Sequence, residues 1–149
     1  MQITSRFTIA VHIIAFVDYF GEELPVTSRM LSGSIHANPV IIRGIVSFLK
    51  EDGILISSQG VKGIRLGRKL SEITLFDVYQ AVDCIDEEGM FHFHKDPNQE
   101  CPVGRSIFRA LNPHLEHVQR SMEAELKKVT MKTIADEIRK LVEEEAQGV

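Results

Sequence analysis

Residues 36–43 read His36-Ala37-Asn38-Pro39-Val40-Ile41-Ile42-Arg43, a brief turn followed by the clearest helix start in the chain. Asn is a favoured N-cap because its side-chain oxygen accepts a free backbone amide. Pro suits the first helical position, where its missing N–H costs nothing. The pattern predicts a helix to about residue 52, stopped by Gly53. Ile41, Ile45, Phe48 and Leu49 fall at i, i+4, i+7 and i+8, which places them on the expected core face. Val40, Arg43, Ser47 and Lys50 are expected to point elsewhere.

Upstream of this start, Thr27 can cap a short helix over 28–35 carrying Met30, Leu31 and Ile35. Before it lies a loop with Pro25, and before that a mostly apolar helix over 5–20 closed by Gly21. Downstream, 54–58 is short and β-branched, Gln59-Gly60-Val61-Lys62-Gly63 is a turn, and 64–66 is a returning strand. Short helix, tight turn, helix and hairpin form the order of a winged helix-turn-helix. The expected fold is therefore mainly α with a small β-hairpin.

That order suits double-stranded DNA, because the helix after the turn offers its N-terminal residues to base edges in the major groove. Arg43 is the best-placed reader, since a guanidinium can bond a guanine edge bidentately. Asn38, Pro39, Val40 and Ser47 stand on the same helix. Thr27 and Ser28 sit where amides and hydroxyls could hold a phosphate. Gln59, Gly60, Lys62 and Arg65 belong to the hairpin, whose glycines allow close approach.

The composition bounds this reading. The chain has 149 residues, 44% hydrophobic and 26% charged, enough for one domain with a real core. Its net charge of −4 excludes a generic polycation that coats nucleic acid by charge alone. The charge is uneven, however. Residues 1–70 hold 8 basic and 5 acidic side chains, a net +3, while 71–149 hold 9 and 16, a net −7. A polyanion would meet the first half. Two cysteines are too few for a disulfide scaffold and fit a reducing, cytoplasmic compartment. The apolar run over 7–17 is too short to span a bilayer, and acidic residues rather than a cleavage site follow it. No membrane partner is expected. His12, inside that run, reads as a core histidine.

A further amphipathic helix is expected over 71–82, followed by an irregular stretch over 86–102. Beyond it Phe108, Leu111, Leu115, Val118 and Met122 repeat at 3-4-3-4 spacing, the pattern of a helix that pairs with another helix. These five residues are the expected homodimer interface. Asn112-Pro113 predicts a kink or a fresh helix start, because Pro removes a backbone donor. A last helix is expected over 133–144. The chain divides into a winged helix-turn-helix over 1–83, a connecting loop with a sensing role over 84–103, and dimerisation helices over 104–149.

Several stretches together resemble the Rrf-two family of winged helix-turn-helix regulators, which includes IscR, NsrR and CymR, and within it the YwnA-like subgroup. They are Ser5-Arg6-Phe7-Thr8-Ile9-Ala10-Val11, Asn38-Pro39-Val40-Ile41-Ile42-Arg43, the Gly60/Gly63 hairpin, Ile73-Thr74-Leu75-Phe76-Asp77-Val78-Tyr79, and Cys101-Pro102-Val103-Gly104. The resemblance implies a DNA-binding homodimeric regulator, expected to be a repressor, and no enzyme. The hairpin departs from the family's pattern. Gln59 stands where Arg is usual, and Ile64 follows Gly63 where a second Gly is common. This transfers the expected phosphate contact to Lys62 or Arg65.

Some members of the family hold an iron–sulfur cluster on three closely spaced cysteines. Here only Cys101 stands in that region, with Cys84 upstream, so no cluster and no other cofactor is expected. His92-x-His94 with Cys101 has the residue types of a metal site, but the alternating Phe91 and Phe93 favour a loop that packs its aromatics inward, and no metal is expected. Cys101 precedes a helix start, which can lower a thiol's pKa, so it is the candidate redox sensor. The alternative function is an adaptor that keeps the fold but binds a protein through its acidic C-terminal helices. No P-loop or dinucleotide motif is present.

Overall fold

The computed structural model describes residues 5–57, 63–82 and 89–148. Helix α1 (Ser5–Phe20) is the hub: α2 (Ser28–Ile35), α3 (Pro39–Glu51), α4 (Leu75–Ala81), α6 (Met131–Ala146) and strand β2 (Arg65–Leu66) all pack on it. A helix with apolar residues all round can bury itself this way, and Ala10, Ile13, Ile14, Ala15 and Val17 are buried. His12 is the exception. It is exposed, with Nε2 2.9 Å from Ser34 Oγ on α2, so it is no core histidine. Its partial desolvation still lowers its pKa from the ordinary 6.5.

The turn between α2 and α3 is held by its side chains. Thr27 Oγ1 accepts from the Met30 amide at 3.3 Å, and Asn38 Oδ1 accepts from the Val40 amide at 2.8 Å. Between them His36 takes a left-handed conformation (φ 59°), and Ser32 Oγ donates to the Ala37 carbonyl at 2.7 Å. On α3 the core face is Ile42, Ile45, Val46 and Leu49, all buried. This corrects the expected face by about one position: Ile41 is 50% exposed and Phe48 only half-buried. Four adjacent apolar residues, Val40 to Ile42 and Ile45, allow either phase, and contact with α1 selects the one centred on Ile42.

Strand β1 (Leu55–Ile56) pairs antiparallel with β2 in the register Leu55↔Leu66 and Ile56↔Arg65. Both are shorter than expected. The base of the hairpin is docked on the α1–α2 loop, where the Ile64 amide donates to the Val26 carbonyl at 2.9 Å. Gly63 is required there. Its φ is +82°, and a Cβ would lie 2.5 Å from the Val26 nitrogen.

The single helix expected over 71–82 is divided. A 3-10 turn (Leu70–Glu72) comes first, then buried Ile73, then α4. The cause is a capping box. Thr74 Oγ1 accepts from the Asp77 amide at 3.1 Å, while Asp77 Oδ2 accepts from the Thr74 amide at 2.9 Å.

Helix α5 (Pro102–Lys128) runs unbroken for 27 residues with Pro113 inside it. The fresh start at Asn112 does not occur. Pro113 forfeits its own amide's bond and crowds the preceding turn, yet the helix continues through it, and Asn112 donates to Glu116 Oε1 at 2.8 Å instead of capping. Helix α6 begins two residues earlier than expected, on a Thr130 cap whose Oγ1 accepts from the Thr133 amide at 3.4 Å. Although grouped above with the dimerisation helices, α6 folds back onto α1. Met131 and Ala135 are buried in the shared core, and Arg139 pairs with Asp18 at 3.0 Å. Backbone bonds seal the joint: the Leu75 amide donates to Val129 O at 2.9 Å and the Met131 amide to Ile73 O at 2.7 Å. Among the described residues, no helix is long and apolar enough to cross a membrane.

Candidate nucleic-acid interface

Four of the residues singled out in the sequence meet in one cleft. Thr27 and Ser28 from the start of α2 and Arg43 and Ser47 from α3 line a space of about 480 Å³ beneath the hairpin base. Lys50 and Ser57, which were not among the expected contacts, also line it, together with Val46, Gly63 and Ile64. Lys50 was legible, since Arg43, Ser47 and Lys50 stand at i, i+4 and i+7 and share a helical stripe. Ser57 carries no sequence signal beyond following β1. Arg43 is exposed and enters no ion pair among the described residues. The cleft therefore offers two cations, hydroxyl groups and no carboxylate.

Asn38, Pro39 and Val40 are exposed at the start of α3 and do not line the cleft. Arg65 is exposed on β2. Gln59, Gly60 and Lys62 lie outside the described residues. The Asn38 oxygen is already engaged by the Val40 amide, which leaves its NH2 group as the donor for an outside acceptor.

A second region differs in character. No residue of α5 is buried. Leu111 (38%) and Val118 (50%) are exposed, and Leu115 and Met122 are half-buried. Phe108 is partly claimed by its own chain, with Phe93 at 4.9 Å and His94 at 5.0 Å between ring centres. The loop before α5 thus packs Phe93 inward. At the other end, Lys127 lies over the Phe76 ring at 4.5 Å and ties α5 to α4.

Cys101 is the N-cap residue of α5 and is partly exposed. The amides of Gly104 and Val103 face its sulfur without completing a cap hydrogen bond, and they lower its pKa below the usual thiol value. Cys84 lies outside the described residues.

The match to known proteins covers nearly the whole chain. The model of the Rrf2 family, described as an iron-dependent transcriptional regulator, matches residues 3–137. YwnA of Bacillus subtilis strain 168, named as an HTH-type transcriptional regulator, is 36% identical over 137 residues, spanning 92% of this chain and 99% of its own. A transcriptional regulator from Lactobacillus plantarum, solved by crystallography, superposes with a TM-score of 0.74 at 25% identity, over 97% of this chain and 99% of its own. A crystal structure of a protein described as DNA-binding gives a TM-score of 0.70 at 35% identity, over 87% and 98%. Iron, named in the family's description, does not find a fitting donor set in the described residues. Cys101 is the lone cysteine among them, and no three His, Cys, Asp or Glu side chains gather around a common point.

Proposed function

This chain belongs to the Rrf2 family, whose members are transcriptional regulators and not enzymes, and from that membership we propose that it is a sequence-specific DNA-binding repressor acting as a homodimer. The observation that carries the reading is the convergence of Thr27, Ser28, Arg43, Ser47 and Lys50 on one acid-free cleft between the start of α2 and the outward stripe of α3. Helix α3 enters the major groove by its N-terminal turns, and Arg43 bonds a guanine edge. Thr27, Ser28 and Lys50 hold the flanking phosphates and so set the register. The hairpin, through Lys62 or Arg65, takes the neighbouring backbone. Two copies joined along α5 bind a two-fold operator whose half-sites lie about 34 Å, or a multiple of it, apart. Bound over a promoter, the dimer blocks access to it.

The test is Arg43→Ala on the operator recovered by selection from genomic fragments. It costs about 1–3 kcal/mol and relaxes preference at one base pair. Normal binding by this variant ends the assignment.

The regulator works in the cytoplasm and carries no iron–sulfur cluster. Protein purified without oxygen shows no cluster absorption band. Cys101 is the sensing group in this reading. Its thiolate attacks a peroxide oxygen, forming a sulfenic acid and releasing water or an alcohol after protonation. Under peroxide, wild-type protein releases its operator while Cys101→Ser holds it. An equal response of the two proteins removes Cys101 from the mechanism.

A further inference from the structure

Beside the Arg43 stripe, α3 carries a second surface that the cleft does not use. Val40 is 66% exposed and Ile41 is 50% exposed, on adjacent positions of the first helical turn. Both border a groove of about 410 Å³ between α3 and the start of α1, together with Gly44, Phe48, Ile9 and Arg6. Single exposed apolar residues are ordinary. Two large β-branched side chains side by side at the end of a helix aimed outward are a different matter.

Gly44 supplies an independent observation. It stands mid-helix, where glycine is less stable than alanine. Among the described residues nothing requires it, because a Cβ at Gly44 would meet none of their atoms within 4 Å. The glycine thus leaves open space one turn beyond Val40 and Ile41. An occupant must tolerate a cation, since Arg6 is the only charged side chain among the described residues that line the groove. It must also present a small apolar group next to whatever Arg43 reads, since Val40 and Arg43 are spaced i, i+3.

Among the groups on a major-groove edge, the thymine 5-methyl meets these conditions. Resting on the DNA-binding reading above, we propose that Val40 and Ile41 form a thymine-methyl reader, with Gly44 leaving room for the base edge and Arg6 facing a phosphate of the same strand. The operator half-site then carries a thymine next to the guanine bonded by Arg43. Val40 is thereby a specificity-determining residue that contributes apolar contact and not a hydrogen bond.

The experiment uses duplexes enriched by the full-length protein from a random-sequence pool. Each thymine is replaced in turn by deoxyuridine, which removes only the methyl group. At one position per half-site the affinity falls about fourfold, and about sixteenfold when both half-sites are changed, as expected for burial of one methyl each. With Val40→Ala the thymine and uracil duplexes bind within about twofold of each other, closing a double-mutant cycle. Gly44→Ala raises Tm and weakens binding to the thymine duplex, which separates obstruction from misfolding. Tight binding that is indifferent to uracil at every position overturns the methyl reader and leaves the DNA-binding reading standing. Uracil sensitivity that persists in Val40→Ala and Ile41→Ala also overturns it. If no duplex is enriched at all, the DNA-binding reading falls and the inference with it.

Discussion

Helices α3 and α5 make opposite use of the same amphipathic pattern. Helix α3 has 13 residues, of which Ile42, Ile45, Val46 and Leu49 are buried within the chain, so its outward face is free to read a ligand. Helix α5 has 27 residues and none buried, although its apolar repeat is just as regular. The winged unit, closed by α6, finds its core within one chain. Helix α5 does not, and a helix of this length with an exposed apolar stripe is stable in water chiefly through a partner. One element finds its packing inside the chain, and the other offers the stripe on which the proposed homodimer would close.

The strongest challenge to this contrast is to put charge on the α5 stripe. Leu115→Glu with Val118→Glu places unpaired carboxylates in the proposed interface, costs several kcal/mol of association, and yields folded monomers. Light scattering that still reports a dimer would move the interface elsewhere. Next in size is Leu49→Ala, which cuts into the α3 core. It lowers stability by about 2–5 kcal/mol, seen in denaturant unfolding, while the molecular mass stays that of wild type. A change of mass here would mean that the two regions are not separate. Smaller is the loss of about 1–3 kcal/mol in operator affinity from Arg43→Ala, which touches neither core nor interface and leaves both stability and mass unchanged.

The smallest effect concerns His12, at the back of the winged unit. Its pKa is lowered by desolvation in the folded state. The folded protein therefore binds fewer protons than the unfolded chain as pH falls below the ordinary 6.5, and stability drops in that window while being fully present above it. His12→Gln keeps a donor for Ser34 and flattens that part of the stability profile. An unchanged profile assigns the acid sensitivity to other groups.

The sequence was informative where chemistry is local. Thr27 and Asn38-Pro39 announce two helix starts because caps and proline geometry act within three residues. Thr74 and Asp77 carry the same kind of signal, a capping box, and explain why the expected helix over 71–82 is two pieces. Signals failed where tertiary contact chooses between local options. The phase of the α3 core face depends on which side α1 occupies, so Ile42 and not Ile41 is inside. The return of α6 to α1 depends on contacts remote in sequence, as when Arg139 pairs with Asp18. No local pattern separates such a helix from one that pairs outside the chain. In the candidate site, the residues on α2 and α3 were readable because they share helical stripes and caps. Ser57 was not, because its place in the cleft is set by hairpin docking on Val26.

The seal between Ile73–Leu75 and Val129–Met131 has a mechanical meaning. It clamps α5 at one end, where four backbone groups and the Thr74–Thr130 bridge fix its direction relative to the winged unit. The other end, starting at Pro102, extends about 40 Å away at the usual rise per residue. Helix α5 is thus a long arm anchored at the clamp. A tilt of about 5° displaces the far end by about 3.5 Å over that length. In the sensing reading proposed above, a covalent change beside Cys101 would act at the end of α5 farthest from the clamp.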